Sequence, residues 1–501
     1  MPDRSTSAEV DQKDLARGAG VNYLGSIARI APRALFLVLA GRFYGESGFG
    51  AYTFGTVVVE TAAGFSLFGM KRSLYRFMGE AKARGESVHG PIAHGVALAV
   101  AVGSALTLLV AATAGLLALR FGLPSATRPL LVLTLAIPLI VISDMLLIAI
   151  RFTRQMRFDV FSRSLVEPIT LTVVLVALHT MGVGEIGLSY AYVAALFAAA
   201  ATSVLFFTRV FSLGACLRVP LRATEIRSLA SFSGPTAGYE LLMMLADKAD
   251  VFIVSYFGSA GTLGIYGMAR QFATITKKIR AGFDRILPAV YSESLASGDL
   301  ERAGHQLGMV ARWVMTAQLL IVLVFMFFGT AILGTVNDDF AAGALVLVLL
   351  MIGDAINGSL GVSELPFVYL RPSANIFFGG AMLALNTGLG LVLVQAYGAV
   401  GAATSVLVTV IVVNAVRIVA SRWMFGQSVV GPTLAKPVVS AMIASAAAWG
   451  AGWMLYDVGA FGHVLQLVVL IGVYLAVLVI LRVEPEDRAQ VQRVLSRLRG
   501  R

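Results

Sequence analysis

The chain has 501 residues, of which 58% are hydrophobic and 13% charged, with a formal net charge of +11 and a mean hydropathy of +0.83. Soluble domains average about 25% charged residues, so this composition excludes a string of ordinary soluble domains and points to a bundle counted in membrane spans of about 20 residues. The single cysteine, Cys216, excludes an intramolecular disulfide and a thiolate metal site and reads as a bystander. The N-terminal stretch MPDRSTSAEVDQKDLARG is polar, with mixed charge and no apolar run before a small-residue cleavage site. No cleaved signal peptide is expected, and the first span anchors itself. Apolar runs then predict fourteen spans, at 21–41, 49–69, 91–119, 129–150, 164–181, 186–208, 231–257, 262–287, 307–329, 341–368, 374–396, 398–420, 433–455 and 463–481. The region 374–416 contains no charged residue and is long enough to cross twice, with Ala396, Tyr397 and Gly398 as its turn. Because the apolar residues run continuously instead of alternating, the expected fold is an all-α polytopic membrane protein and not a barrel.

Basic residues give the expected orientation. They gather after span two (Lys71, Arg72, Arg76, Lys82, Arg84), after span four (Arg151, Arg154, Arg157, Arg163), after span six (Arg209, Arg218, Arg222, Arg227) and in the C-terminal tail. Alternate loops hold little beyond Arg42, Arg120 and Arg128. With an even number of spans, the positive-inside rule places both termini in the cytoplasm of a multi-pass protein of the cell (inner) membrane. The +11 is thus read as a set of topology determinants, and no nucleic-acid partner is expected.

The chain also repeats itself. YGESG-FGAY at Tyr44 to Tyr52 answers FGSAGTLGIY at Phe257 to Tyr266, each joining the first two spans of a six-span block. The expected organisation is an N-terminal six-helix lobe at 1–211, a cytoplasmic linker at 212–230, a C-terminal six-helix lobe at 231–421, an accessory transmembrane pair at 433–481 and a basic cytoplasmic tail at 482–501. Duplication of this kind is frequent in transporters, with the substrate site between the halves.

Ionisable residues inside spans are costly, about 2.5–3.5 kcal/mol each on the lenient scale, and mark function or pairing. In span one Asn22, Ser26, Arg29 and Arg33 share one helix face. The planar forks of Arg29 and Arg33 suit diphosphate oxygens; the alternative is a structural pair neutralised by Glu60, which forms a stripe with Thr53 and Thr56 on span two. Span seven carries Glu240, Asp247 and Asp250 on one face, with Lys248 about 100° away. Span eight carries Tyr266, Arg270, Thr274 and Lys277, and for Lys277, Lys278 and Arg280 snorkelling to the interface stands beside ligand binding. Span ten aligns Asp354, Asn357, Gly361 and Glu364. The acids either pair with these cations or bind a coupling proton or sodium ion. Asp144 and Glu167 are further polar positions, with Glu167-Pro168 expected to mark a helix start near Arg163. His89 and His94 lack a third ligand at metal spacing and read as interfacial. No Walker motif is present, no metal or other cofactor is expected, and the short outer loops, of which 329–340 is the longest, speak against a membrane enzyme.

Three stretches carry a family resemblance: GAGVNYLGSIARIAPRALFLVLAGRFYGESGFGAYTFG, the following FSLFGMKRSLYRF, and the second-half SGPTAGYELLMMLADKADVFIVSYFGSAGTLGIYGMARQF. They resemble the oligosaccharide and polysaccharide flippases (Wzx-like) of the multidrug/oligosaccharidyl-lipid/polysaccharide exporter superfamily, which also holds MATE-type extruders and lipid II flippases. The resemblance implies two six-helix lobes in a V, alternating access, and export of an undecaprenyl-diphosphate-linked oligosaccharide for polysaccharide (O-antigen, exopolysaccharide or capsule) biosynthesis. Under it, Arg29, Arg33 and Arg270, helped by Lys248 and Lys277, hold the diphosphate, while Glu60, Asp247, Asp250, Asp354 and Glu364 are coupling or ion-pair groups. It implies a lipid-linked oligosaccharide and membrane lipids as partners, together with polysaccharide polymerase and chain-length or export proteins. A cation-coupled drug extruder using Asp247, Asp354 or Glu364, a lipid II flippase and a membrane enzyme of the same pathway stand as alternatives.

Overall fold

A computed structural model describes residues 30–67, 69–284, 287–454 and 459–481. Among them there are helices and no strands. The order is α1 (Ile30–Leu67), α2 (Met70–Ala83), α3 (His89–Arg120), α4 (Thr127–Leu133), α5 (Ala136–Phe152), α6 (Met156–Val160), α7 (Glu167–Thr180), α8 (Gly187–Val210), α9 (Leu213–Leu217), α10 (Ala223–Phe257), α11 (Ala260–Ala281), α12 (Leu287–Ala296), α13 (Leu300–Gly334), α14 (Ala344–Leu360), α15 (Glu364–Leu370), α16 (Pro372–Phe425), α17 (Ala435–Met454) and α18 (Gly459–Ile480).

Two helices break at an internal glycine and so form two limbs each. Straight, the 38 residues of α1 would extend about 57 Å, nearly twice the roughly 30 Å hydrocarbon core. Gly45, at φ 63° and ψ −173°, interrupts it. The Phe36 ring then lies 6.3 Å from Tyr52, a closeness a straight helix could not give, so the two limbs fold back on each other. The 54 residues of α16 break likewise at Gly398 (φ 54°, ψ −132°), and the Ser405 hydroxyl donates to Asn386 Oδ1 at 3.2 Å across the fold. This is the turn expected at 396–398. Ten stretches are long and apolar enough to cross a membrane by length and composition. Treating both limbs of α1 and of α16 as separate passes, and adding α10 and α11, whose charges remove them from that count, brings the number to about fourteen.

Three local features differ from the expectation. The basic segment after span two is the amphipathic helix α2, which buries Met70, Leu74 and Met78. The helix expected to begin near Arg163 starts at Met156 and passes through a π-helical stretch, Phe161–Val166, before α7. Helix α10 begins at Ala223, ahead of the apolar run at 231, because a helix need not end where the bilayer does.

Two compact units emerge, Met1–Ile275 with Thr330–Leu350 and Ser373–Thr409, and Thr276–Gly329 with Met351–Pro372 and Val410–Arg501. The first is organised around α1, against which α3, α5, α7, α8 and α10 pack. Small buried side chains let its helices approach: Ser143 and Ser203 hydroxyls lie 2.9 Å apart, and Ser73 and Ser233 hydroxyls 2.6 Å apart. The second unit has one core of Leu287, Tyr291, Leu307, Val314 and neighbours. Its other core joins Leu323 of α13 to Ala441, Ala444 and Ala448 of α17 and to Leu470 and Tyr474 of α18.

Candidate functional site

Within the first unit the two repeated glycine turns touch. A Cβ on Gly50 would overlap the Ala260 carbonyl oxygen, and one on Gly264 would overlap the Glu46 carbonyl oxygen. These glycines occupy matching places in the two repeats, so each turn presses its backbone on the other. Further along, a Cβ on Gly267 would come 2.5 Å from Thr53 Oγ1. Ser259 caps α11 by accepting from the Thr262 N–H at 3.1 Å. The turns thereby fix α1, α10 and α11 side by side, and the mid-helix charges of all three converge.

Three polar clusters result. In the first, Lys248 Nζ lies 2.6 Å from Glu60 Oε2, and the Tyr192 hydroxyl donates to Glu60 Oε1 at 3.2 Å. In the second, Asp250, 1% exposed, accepts from the Tyr266 hydroxyl and from Arg270 Nη1. Arg270 Nη2 donates to the Asp247 carbonyl and sits 3.3 Å from Asp247 Oδ1. The third is Arg33, whose Nη2 donates to Gln271 Oε1 at 2.7 Å. No carboxylate pairs with Arg33 among the described residues. The alternative in which Glu60 neutralises Arg33 is therefore replaced by a Glu60–Lys248 pair. Lys248 points off the Asp247/Asp250 face of α10, as its 100° offset requires, and that leaves it to Glu60. Tyr52 is within electrostatic reach of Arg33, Glu60 and Glu167, and its ring meets Tyr192 edge-on at 5.7 Å.

The stripe of span ten lies in the second unit, and each member has a neighbour. Asp354 Oδ1 is 3.6 Å from Lys277 Nζ. The Asn357 carbonyl accepts from Arg280 Nη1 at 2.6 Å, and its side-chain oxygen accepts from Asn414 at 3.3 Å. A Cβ on Gly361 would come 2.5 Å from that same Arg280 Nη1, so glycine makes room for the guanidinium. Glu364 Oε2 lies 3.9 Å from Arg417 Nη1.

Of the residues singled out from sequence, Arg33, Glu60, Asp247, Lys248, Asp250 and Arg270 are thus brought together in the first unit; in the second, Lys277 meets Asp354 while Glu364 lies apart from them, beside Arg417. Arg29, with Asn22 and Ser26, lies outside the described residues. Gln271 and Tyr192 were missed, since neutral polar groups in apolar helices give no charge signal. Among the remaining positions, Asp144 pairs with Arg163 and Glu240 lies 3.6 Å from Arg72. His94, expected at an interface, is buried and accepts from the Arg222 N–H at 3.2 Å, a structural tie between α3 and the start of α10.

A repeated bundle of about fourteen apolar passes, with charges paired at mid-helix, defines a multi-pass membrane protein of transporter architecture. Solved structures share this fold. The "Lipid II flippase MurJ, inward closed conformation" superposes with a TM-score of 0.71 at 15% identity, over 91% of this chain and 97% of that one. A structure described as "Inward-facing conformation of a multidrug resistance MATE family transporter of the MOP superfamily" gives 0.61 at 15% identity, over 80% and 98%. The eukaryotic MATE transporter AtDTX14 gives 0.55 at 16% identity, over 82% and 95%. No curated relative matches in sequence. Residues 15–283, more than half the chain, match the family described as "Polysaccharide biosynthesis protein", and the chain belongs to that family.

Proposed function

We propose that the chain flips an undecaprenyl-diphosphate-linked oligosaccharide across the cytoplasmic membrane for polysaccharide biosynthesis, with both termini cytoplasmic and the blocks 1–211 and 231–421 acting as lobes in alternating access. The observation that carries this reading is Arg33, a guanidinium inside an apolar helix whose partner is the neutral Gln271. An intramembrane cation left without a carboxylate is costly, and a planar fork is suited to a phosphate's paired oxygens. Nearby, Lys248 and Arg270 are held by Glu60, Asp247 and Asp250. These three cations and three acids balance, so a dianionic diphosphate entering the cluster must bring its own neutralisation. Arg29 supplies one positive charge in this reading. A proton or sodium ion taken up on Glu60 or Asp247 as phosphate displaces it supplies another, which couples substrate entry to cation uptake.

The drug-extruder alternative needs a carboxylate open to an organic cation. Asp247 and Asp250 face Arg270, Asp354 faces Lys277 and Glu364 faces Arg417, which favours an anionic cargo. In this reading the chain is no enzyme and needs no cofactor, and polymerase or chain-length proteins receive its product. The test is depletion in cells. A lipid-linked oligosaccharide should accumulate on the cytoplasmic face and be cleared by the wild-type chain but not by Arg33→Gln present at equal abundance. Accumulation of no lipid-linked sugar would overturn the reading.

A further inference from the structure

Four mid-helix cations, Lys248, Arg270, Lys277 and Arg417, each face a carboxylate. Arg33 instead donates from Nη2 to the side-chain oxygen of Gln271, 2.7 Å away and 238 residues along the chain. Both residues belong to the first unit, and both side chains are half-buried. On α11, Gln271 follows Arg270, which is taken up by Asp250 and Asp247, and the Thr274 hydroxyl donates to the Gln271 carbonyl at 2.6 Å. Glu60, on the second limb of α1, is occupied by Lys248 and Tyr192. Arginine has donors and no acceptor, so the Gln271 amide must turn its oxygen to Arg33 and its NH2 group away from it. Among the described residues this is the one side-chain hydrogen bond of either residue. The rest of the guanidinium donors and both amide hydrogens are left for another acceptor.

A glutamate has the shape of a glutamine and would turn this hydrogen bond into an ion pair. A carboxylate is the ordinary relief for a cation inside an apolar helix, and a charge-assisted bond to it is the stronger one. Local stability therefore favours the acid at 271, and the amide stands there for another reason. The amide holds Arg33 by one hydrogen without cancelling its charge, and it sets further donors beside those of the guanidinium. A cluster that offers donors alone is matched by an anion. An organic cation or an apolar group placed there would leave each of those donors unmet.

We propose that Gln271 is a specificity-determining residue of this site: it positions Arg33, supplies amide donors to the same phosphoryl oxygens, and by its neutrality keeps the guanidinium open to an anion. The inference rests on the reading of Arg33 as the ligand of the cargo's phosphate. An acid at 271 would close the site from within, because a carboxylate built into the fold occupies the guanidinium ahead of any free phosphate and repels the phosphate's remaining charge. An apolar side chain at 271 would leave Arg33 charged but unheld, so that its freedom is lost only when the anion binds. The two replacements thus damage binding by different routes, and only the first does so while strengthening the contact with Arg33.

Binding of farnesyl diphosphate, a short polyprenyl diphosphate, to the full-length protein in phosphatidylcholine nanodiscs tests this, with the unfolding midpoint measured beside it. Gln271→Glu should weaken binding about a hundredfold while its midpoint stays at or above that of the wild type, a combination that loss of fold cannot produce. Gln271→Met, similar in length and without hydrogen-bond donors, should weaken binding about tenfold, and Gln271→Asn should fall between Gln271→Met and the wild type. Wild-type affinity in Gln271→Glu, beside loss of binding in Arg33→Gln, would overturn this inference alone and leave Arg33 as the phosphate ligand. Should Gln271→Glu fold poorly, Gln271→Met decides: tenfold weaker binding at the wild-type midpoint supports the proposal, and unchanged binding overturns it. A wild-type protein that does not bind farnesyl diphosphate would overturn the cargo reading of Arg33 and this inference with it. Displacement of the diphosphate by phosphatidylglycerol, with the same order of variants, would support the role of Gln271, assign the anion to a lipid headgroup, and overturn the cargo reading.

Discussion

Arg33→Gln and Lys248→Gln each remove one positive charge from the same cluster, yet their consequences should separate. Arg33 donates to a neutral amide, so its loss strands no charge. The structural cost is at most that of one charge-assisted hydrogen bond, about 1.5–3 kcal/mol, and less because a glutamine at 33 can still reach Gln271. Lys248→Gln strands the Glu60 carboxylate. Breaking a fully buried pair costs about 3–5 kcal/mol; Glu60 keeps 39% of its side chain exposed, so solvent reduces this to roughly 1–2 kcal/mol. Double neutralisation, Lys248→Gln with Glu60→Gln, should recover most of that loss because no lone charge remains. Thermal unfolding of detergent-purified protein gives the stability order, with Lys248→Gln lowest and the double mutant restored. Flipping of a lipid-linked oligosaccharide in reconstituted vesicles gives the functional order. There Arg33→Gln should be inactive while stable, and Arg33→Lys partly active because it keeps charge but loses the fork. An Arg33→Gln protein that flips at the wild-type rate, or a double mutant no more stable than Lys248→Gln, would refute this account of the cluster.

Asp250→Asn should be among the most destabilising changes in the chain, about 3–5 kcal/mol, because Asp250 is 1% exposed and accepts from both Tyr266 and Arg270; the unfolding midpoint and folded yield report it. Gly50→Ala and Gly264→Ala should each cost at least about 1–3 kcal/mol by overpacking, since the added methyl overlaps a carbonyl oxygen, whereas Gly380→Ala, with open space around it, should be neutral in the same unfolding assay. Cys216 is 8% exposed and burial raises its thiol pKa, so an impermeant maleimide should label it slowly at neutral pH. Labelling should speed up with pH as the thiolate forms. It should occur in inverted vesicles and not in intact cells; labelling from outside would reverse the expected orientation. Truncation after Arg422 removes the partners of Leu323 on α13 and should expose its apolar face, lowering the folded yield in detergent.

The passes were legible because the bilayer sets their length, and an uninterrupted apolar run of about 20 residues has few other uses. The breaks at Gly45 and Gly398 were legible because each lies at a glycine turn between two apolar runs that are both long enough to cross. Pairing was legible only in part. A stripe at spacings of three and four places Arg33, or Asp247 and Asp250, on a helix face, but the residue opposite depends on how two helices are rotated about their axes, which no single helix encodes. That is why Arg33 stood as the alternative partner for Glu60 on paper whereas Lys248 takes that place in space, and why Gln271 escaped notice. The amphipathic helix α2 was hidden by its own cations, which mark a loop and a helix surface equally well. The repeated turns carry the same ambiguity one step further. Glycine serves either a backbone with positive φ or a close approach between backbones, and YGESG-FGAY contains both: Gly45 makes the turn, whereas Gly50 lets the turn meet its counterpart at Gly264. A contact made through glycines has no side chains to interlock, so it can open without breaking packed pairs. Under the flipping function proposed above, in which the cargo is exposed to each side of the membrane in turn, that property gives a reason for both repeats to place a glycine at the point where they touch.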